Sequence, residues 1–444
     1  MDLLSYALGV VTGLTLAAVF ASAVVSALKP IVGSKDRCFT IVAGIVTSLA
    51  IVKVAMLPYL PGEIVDLRQF EIWGLAMAHL GPAHAYDPRF ACMYTPAYLY
   101  VLWAAAEITA RTGFNLRVMV EIPLVTADLL LALIVYAAAR KVGTARAASA
   151  AALLVAFNPA LIYISTVWGQ NDSVLALTVL LSVLMAAERR FAMAWAIAVM
   201  AGMIKAQGLM LIPILAWLTL ISGGKRDWLR SAAATIAITI LIIAPFQVVH
   251  PWHFIWDVYS SSANFFPWAS VNAFNLMLAM GGLIVLDTDR VIGPVSYFEL
   301  GNFLFAMVYV LAAWIIWRQS SPWLLFYSVL IVYLGMFTFA PRMHERYLFY
   351  AVALMAPLVP TSRTIGALYA ALSVTLFLDA AYVFFNLVRV PGMAEGHLPL
   401  GPDARFAISI VNVAACVVAV GYGIFAVYRN PASLQSGAAE AAHT

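Results

Sequence analysis

Five short stretches of this 444-residue chain combine residue types that could do chemistry. The first is acidic, with Glu63, Asp66 and Glu71 inside Pro61-Gly62-Glu63-Ile64-Val65-Asp66-Leu67-Arg68-Gln69-Phe70-Glu71. A carboxylate there with no structural duty could take a proton from a hydroxyl. The second, Trp168-Gly169-Gln170-Asn171-Asp172-Ser173, joins amides to a carboxylate, a set suited to the hydroxyls of a polyol. In the third, Met203-Ile204-Lys205-Ala206-Gln207-Gly208, a lone lysine sits between apolar segments, where it either snorkels to an interface or meets an anion. The fourth, Arg342-Met343-His344-Glu345-Arg346-Tyr347, packs four ionisable groups before a short apolar run, more than snorkelling explains. The fifth, Ser270-Val271-Asn272-Ala273-Phe274-Asn275, follows an aromatic run from Trp252 to Trp268 that reads first as an interfacial belt and second as a sugar platform.

Structural roles compete with each of these. Asp66 could simply N-cap the helix whose apolar face, Leu67, Phe70, Gly74 and Met77, begins just after it. Asn171 or Asp172 could cap the next helix in the same way. Asp287-Thr288-Asp289, the one acidic pair of metal-binding type, follows an apolar run and reads as a helix-ending turn. Cys38, Cys92 and Cys416 lack paired spacing and suggest neither a disulfide framework nor a zinc site.

The elements that must position these residues are apolar. Hydrophobic residues make up 64% of the chain and charged ones 10%, with a mean hydropathy of +0.94, which excludes a soluble enzyme and a large separate soluble domain. Apolar runs predict an all-α polytopic membrane protein of about thirteen transmembrane helices. They lie near 5–28, 38–58, 118–139, 147–166, 174–187, 191–204, 208–222, 230–249, 303–318, 322–339, 347–360, 364–384 and 405–427. Those at 174–187, 191–204 and 347–360 are short for a bilayer of about 30 Å and predict a wet cavity beside them. Lys29, Lys35 and Arg37, then Arg140, Lys141 and Arg146, then Arg189 and Arg190, then Lys225, Arg226 and Arg230 alternate with loops poor in Lys and Arg. The positive-inside rule puts these loops in the cytoplasm and the long loops 59–117 and 250–302 outside, with the active-site side facing outward. Parity then makes the apolar stretches 97–110 and 274–286 interfacial or re-entrant helices in the outer loops. The 25 basic residues are scattered over short loops, so they read as orientation signals and no nucleic acid is expected as a partner.

Taken in order, an acidic residue in the first outer loop, Tyr94-Thr95-Pro96, Trp168-Gly169-Gln170-Asn171-Asp172, Lys205-Ala206-Gln207, Ser270-Val271-Asn272-Ala273-Phe274-Asn275 and His344-Glu345-Arg346-Tyr347-Leu348 resemble the integral-membrane glycosyltransferases of the GT-C superfamily. Within it the likeness is to prokaryotic relatives of the second mannosyltransferase of GPI-anchor synthesis. Tyr-Thr-Pro departs from the usual Tyr-Pro-Pro. The resemblance covers residues 38–360 as a catalytic membrane core. It makes 1–37 an additional N-terminal helix and cytoplasmic loop, 361–430 a C-terminal helical part and 431–444 a polar tail.

That resemblance implies an extracytoplasmic site in a prokaryotic cell membrane. A hexose such as mannose would pass from a polyprenyl-phosphate donor to the hydroxyl of a lipid-linked or glycan acceptor, with inversion. It implies Asp66 as general base, with Lys205, Arg342, His344 and Arg346 around the donor phosphate. Trp168, Gln170, Asn171, Asp172, Gln207, Asn272 and Glu345 would bind sugar or acceptor. No cofactor or metal is implied, and a lipid phosphate, already a weak base, leaves without a general acid, so one carboxylate base can suffice. The rival is a transporter or flippase of lipid-linked sugars, which would also use polar groups near short helices. It sits less well with ionisable residues concentrated on one side and no visible repeat.

Overall fold

The computed structural model describes residues 3–318, 321–386 and 398–428. The expected polar tail 431–444 lies outside the described residues. The chain is nearly all-α, built in order from α1 (Leu3–Gly33), α2 (Arg37–Met56), α3 (Ile64–Leu80), α4 (Pro96–Thr112), α5 (Leu116–Arg140) and α6 (Ala145–Ala156). Then come α7 (Pro159–Ile162), α8 (Asp172–Ala187), α9 (Phe191–Ile204), α10 (Ile212–Ser222), α11 (Lys225–Ile243) and α12 (Phe254–Asn264). The last third holds α13 (Leu276–Ala279), α14 (Tyr297–Arg318), α15 (Pro322–Phe339), α16 (Leu348–Met355), α17 (Arg363–Asn386) and α18 (Pro402–Tyr428).

Among the described residues, seven helices are long and apolar enough to cross a membrane: α1, α2, α5, α14, α15, α17 and α18. They bear large exposed apolar side chains such as Leu14, Ile41, Ile51, Val310 and Val417, which is the outward face a lipid solvent favours. The expected crossing at 147–166 is instead a broken element. Pro159 cannot donate the helical hydrogen bond, and the axis bends by 42° between α6 and the segment Pro159–Trp168. Counting that pair gives up to eight spans by length and composition. The interior is formed by α8, α9, α15 and α16, whose side chains are buried nearly all round, with α5 about half buried beside them.

The loops collect at two ends. At one, Asp36 caps α2, accepts from the Tyr136 hydroxyl at 2.8 Å and lies 3.6 Å from Arg140, while Lys141 pairs with Glu188 at 2.6 Å and Arg189 donates to the Ser222 carbonyl. Trp323 bonds Thr361 there too. This is the basic-rich end the charge pattern groups together. Every chemistry-bearing stretch lies at the other end.

One expectation changes at that second end, and another narrows to its re-entrant alternative. The stretch 274–286 is not a helix: α13 has four residues, and Gly281, at φ +88°, turns the chain into bridges from Ser270 to Leu283 and from Trp268 to Leu286. The stretch 97–110 is the helix α4, but Tyr98, Leu99 and Leu102 are fully buried, so it packs into the body instead of lying along a surface. Its contact with α3 is close. A Cβ on Gly74 would stand 2.7 Å from the Leu102 carbonyl oxygen, so only glycine lets the two backbones approach there. The short parallel pairing of β1 (Ser270–Val271) with β2 (Met343–His344) draws the fifth stretch to the fourth.

Candidate functional site

Helix α3 begins three residues earlier than its apolar face suggests, and this releases the Asp66 side chain from capping. The N-cap is Glu63, whose carboxylate accepts the Val65 N–H at 3.2 Å and the Asp66 N–H at 2.5 Å. Asp66 therefore does not cap the helix. Its carboxylate, partly exposed in the first turn, accepts from the Gln170 side-chain amide. The two loops are further joined by the Glu63 N–H donating to the Trp168 carbonyl at 2.9 Å. Burial and then the nearby Asp66 carboxylate raise the pKa of Glu63, so the carboxyl pair resists carrying two full charges.

The Trp168–Asp172 stretch is presented by an unusual local geometry. Residues Tyr163–Trp168 form a π-helical turn that ends at Gly169 in the left-handed region, φ +89°. A Cβ there would stand 2.7 Å from the Leu67 side chain, so glycine lets α3 close over the turn. Such turns are rare and break the regular side-chain spacing, which aims successive residues in unlike directions. Asn171 precedes α8 without a side-chain capping bond. Instead its amide oxygen accepts from the Tyr94 hydroxyl at 3.3 Å. Asp172, fully buried, turns to Lys205 at 2.7 Å and to the Tyr350 hydroxyl. The capping explanation of both residues is thus replaced by long-range partners.

Arg346 completes the group. Its Nε lies 3.7 Å from Asp172 Oδ2, its Nη1 donates to Glu345 Oε1 at 2.7 Å, and its guanidinium stands 5.8 Å from the ring centres of Trp168 and of Tyr347. Burial acts to raise the Glu345 carboxyl, but Arg346 and then His344 more than offset it and bring it down to about 2. Burial, followed by the charge of Arg346, holds His344 below its ordinary value although Glu345 lies 3.7 Å away, so its ring is neutral at pH 7. Asn272 faces His344 across an isolated bridge, and Gln207 lies beside Tyr347.

Of the residues expected at a site, Asp66, Trp168, Gln170, Asn171, Asp172, Lys205, Gln207, Asn272, His344, Glu345 and Arg346 come together. Arg342 does not. Its guanidinium bonds Asp287 at 2.6 Å, the Ala263 carbonyl at 2.8 Å and Asn264 at 3.0 Å. Asp287 is accordingly half of an ion pair that fastens the long loop between α12 and α14, more than a helix-ending turn. The sequence reading gave no site role to Tyr94, Tyr98, Tyr347 and Tyr350, which wall the group, although Tyr94 and Tyr347 stand within its motifs. The signal available was spacing: Tyr94 and Tyr98 are four residues apart and Tyr347 and Tyr350 three, the first of each pair just before α4 or α16 and the second in that helix's first turn.

Several buried polar atoms here have no hydrogen-bond partner: Trp168 Nε1, Gln170 Oε1, Asn171 Nδ2, Gln207 Oε1, Arg346 Nε, Thr95 Oγ1 and the Tyr98 hydroxyl. Buried polar groups are nearly always satisfied, so a concentration of donors and acceptors left open in one place suits a polar guest with several hydroxyls or oxyanions. No family model and no curated protein matches this chain.

Proposed function

We propose that this protein is a membrane glycosyltransferase of the GT-C kind, which moves a hexose such as mannose from a polyprenyl-phosphate donor to a hydroxyl of a lipid-linked or glycan acceptor. The observation that carries the reading is one carboxylate without a structural duty, Asp66, at the mouth of a buried group of open hydrogen-bonding atoms and two cations. In the step itself the acceptor oxygen attacks the anomeric carbon as its proton passes to Asp66. The bond from that carbon to the phosphate oxygen breaks, and the electron pair leaves with the polyprenyl phosphate. Phosphate charge grows from about one to two negative, so cations that meet it favour the transition state.

Arg346 suits that role best, being partly exposed with Nε unbonded. Lys205 adds charge from below, held in place by Asp172, and neutral His344 can donate a hydrogen bond. Gln170 orients Asp66, and Asn171 with Trp168 offers donors to sugar hydroxyls. The basic-rich end would be cytoplasmic and the site extracytoplasmic, in a prokaryotic cell membrane. Thirteen crossings require the bent pair, the four shorter apolar segments and α11 to cross along with the seven long helices.

Purified protein in liposomes, given radiolabelled polyprenyl-phosphate hexose and a lipid-extract acceptor, tests the proposal. A new labelled glycoside supports it. Label that crosses the bilayer with no new glycosidic bond makes the protein a flippase instead.

A further inference from the structure

Apart from the groups around Asp66, an ion pair lies between two of the long apolar helices. Lys53 in the last turn of α2 meets Asp128 of α5 at 2.7 Å, with side chains 8% and 14% exposed. Apolar Leu49, Val125, Leu129, Val155, Ile162 and Phe349 border it on either side. A charge pair in such surroundings is expensive to bury, and apolar residues of the same size pack as well, so its presence asks for a use beyond cohesion.

The use is visible in what else Asp128 holds. Its Oδ2 also accepts the Ser165 hydroxyl at 2.7 Å and lies 3.4 Å from that of Thr166, both inside the π-helical turn Tyr163–Trp168. Ser165 has a second possible acceptor, the Leu161 carbonyl four residues back, at 2.9 Å. One hydroxyl proton serves one acceptor fully. Bonding four residues back belongs to ordinary helix, whereas a carboxylate forms the stronger, charge-assisted bond and draws the hydroxyl away. Directly after this turn, the Gln170 N–H reaches the Ile164 carbonyl at 3.0 Å and the Gln170 side chain reaches Asp66.

We infer that the Lys53–Asp128 pair is a positioning device: the Asp128 carboxylate, fixed in place by Lys53, holds Ser165 and Thr166 so that the π-helical turn keeps its register and presents Gln170 to Asp66. The catalytic consequence rests on the proposed transferase activity. The geometric consequence does not.

The decisive variant is Lys53→Met/Asp128→Asn, which removes both charges together and so leaves neither buried alone. Lys53→Arg, which keeps the pair, is its control. Hydrogen–deuterium exchange of the peptide 163–172 reads the turn in the full-length protein, and donor transfer reads kcat and KM. The double variant is expected to exchange the Gln170 amide roughly tenfold faster and to lose roughly tenfold in kcat, the size of one charge-assisted hydrogen bond, with KM for donor unchanged. Lys53→Arg is expected to match the parent in both. Parental exchange at 163–172 in a well-folded double variant overturns the inference, as does a fall confined to thermal stability. If the parent itself transfers no sugar, the transferase reading fails, and the exchange measurement still decides this one.

Discussion

Replacing Lys205 by methionine keeps the apolar stem and deletes the charge that faces Asp172. Asp172 is fully buried and Lys205 is 8% exposed, so little water can replace the lost ammonium. At an effective dielectric of about 20, a pair at 2.7 Å is worth about 6 kcal/mol of attraction and one at 3.7 Å about 4 to 5 kcal/mol. Arg346 at the longer distance remains, as does the Tyr350 hydroxyl, so the carboxylate is not left bare. Breaking one side of a buried pair commonly costs about 3–5 kcal/mol, and the surviving partners place this variant near the lower end, about 3 kcal/mol. Chemical denaturation in detergent, followed by tryptophan fluorescence, reads the loss. Adding Asp172→Asn should recover most of it, because the buried anion is gone. A Lys205→Met protein as stable as the parent, or a double variant weaker than the single, would refute the reasoning.

The two arginines should separate cleanly. Arg342→Ala leaves Asp287 buried without its partner and should cost about 3 kcal/mol of stability while donor affinity is kept, whereas Arg346→Ala should cut transfer on the order of a hundredfold; denaturation and initial rates distinguish them. For Glu63 the raised pKa means that its contribution to stability is full at low pH and is lost as pH rises through its folded value. Since Asp66 is the second cause of that shift, Asp66→Asn should lower the Glu63 pKa, read by infrared titration of carboxyls; an unmoved titration contradicts the coupling. Glu345 works in the opposite sense: with its carboxyl near 2, its stabilisation is present above the ordinary carboxylate range and is lost only as pH falls toward 2. Glu345→Gln should therefore flatten the stability profile below about pH 4 in acid-denaturation curves.

Much of the frame was legible in the apolar runs because burial in lipid leaves few alternatives to helix, and the long helices α1, α2, α5, α14, α15, α17 and α18 fall where those runs do. Their ends were less legible. The start of α3 was placed after Asp66 because its apolar stripe starts at Leu67, yet the first turn of a helix is fixed by its cap, and Glu63 reached both free N–H groups. Apolar content misled at 274–286, where adjacent glycines at 281–282 and bridges back to Trp268 and Ser270 outweigh hydropathy. The grouping of Trp168, Asp172, Lys205 and Arg346 followed from motif order, but the diversion of Arg342 to Asp287 could not. Positions four residues apart in an irregular segment have no fixed relative direction, unlike those on a helix. The Lys53–Asp128 pair was hidden for another reason: each residue sits singly in an apolar run, 75 positions from its partner.

Asp66→Asn tests the central claim most directly. Because Glu63 performs the capping, the substitution removes no helix cap, and asparagine can still accept from Gln170 while being unable to take a proton at neutral pH. Donor binding and transfer are measured on the same reconstituted sample. The account predicts parental affinity for polyprenyl-phosphate hexose and a fall in transfer of at least about a hundredfold. Near-parental transfer by a well-folded Asp66→Asn protein contradicts it.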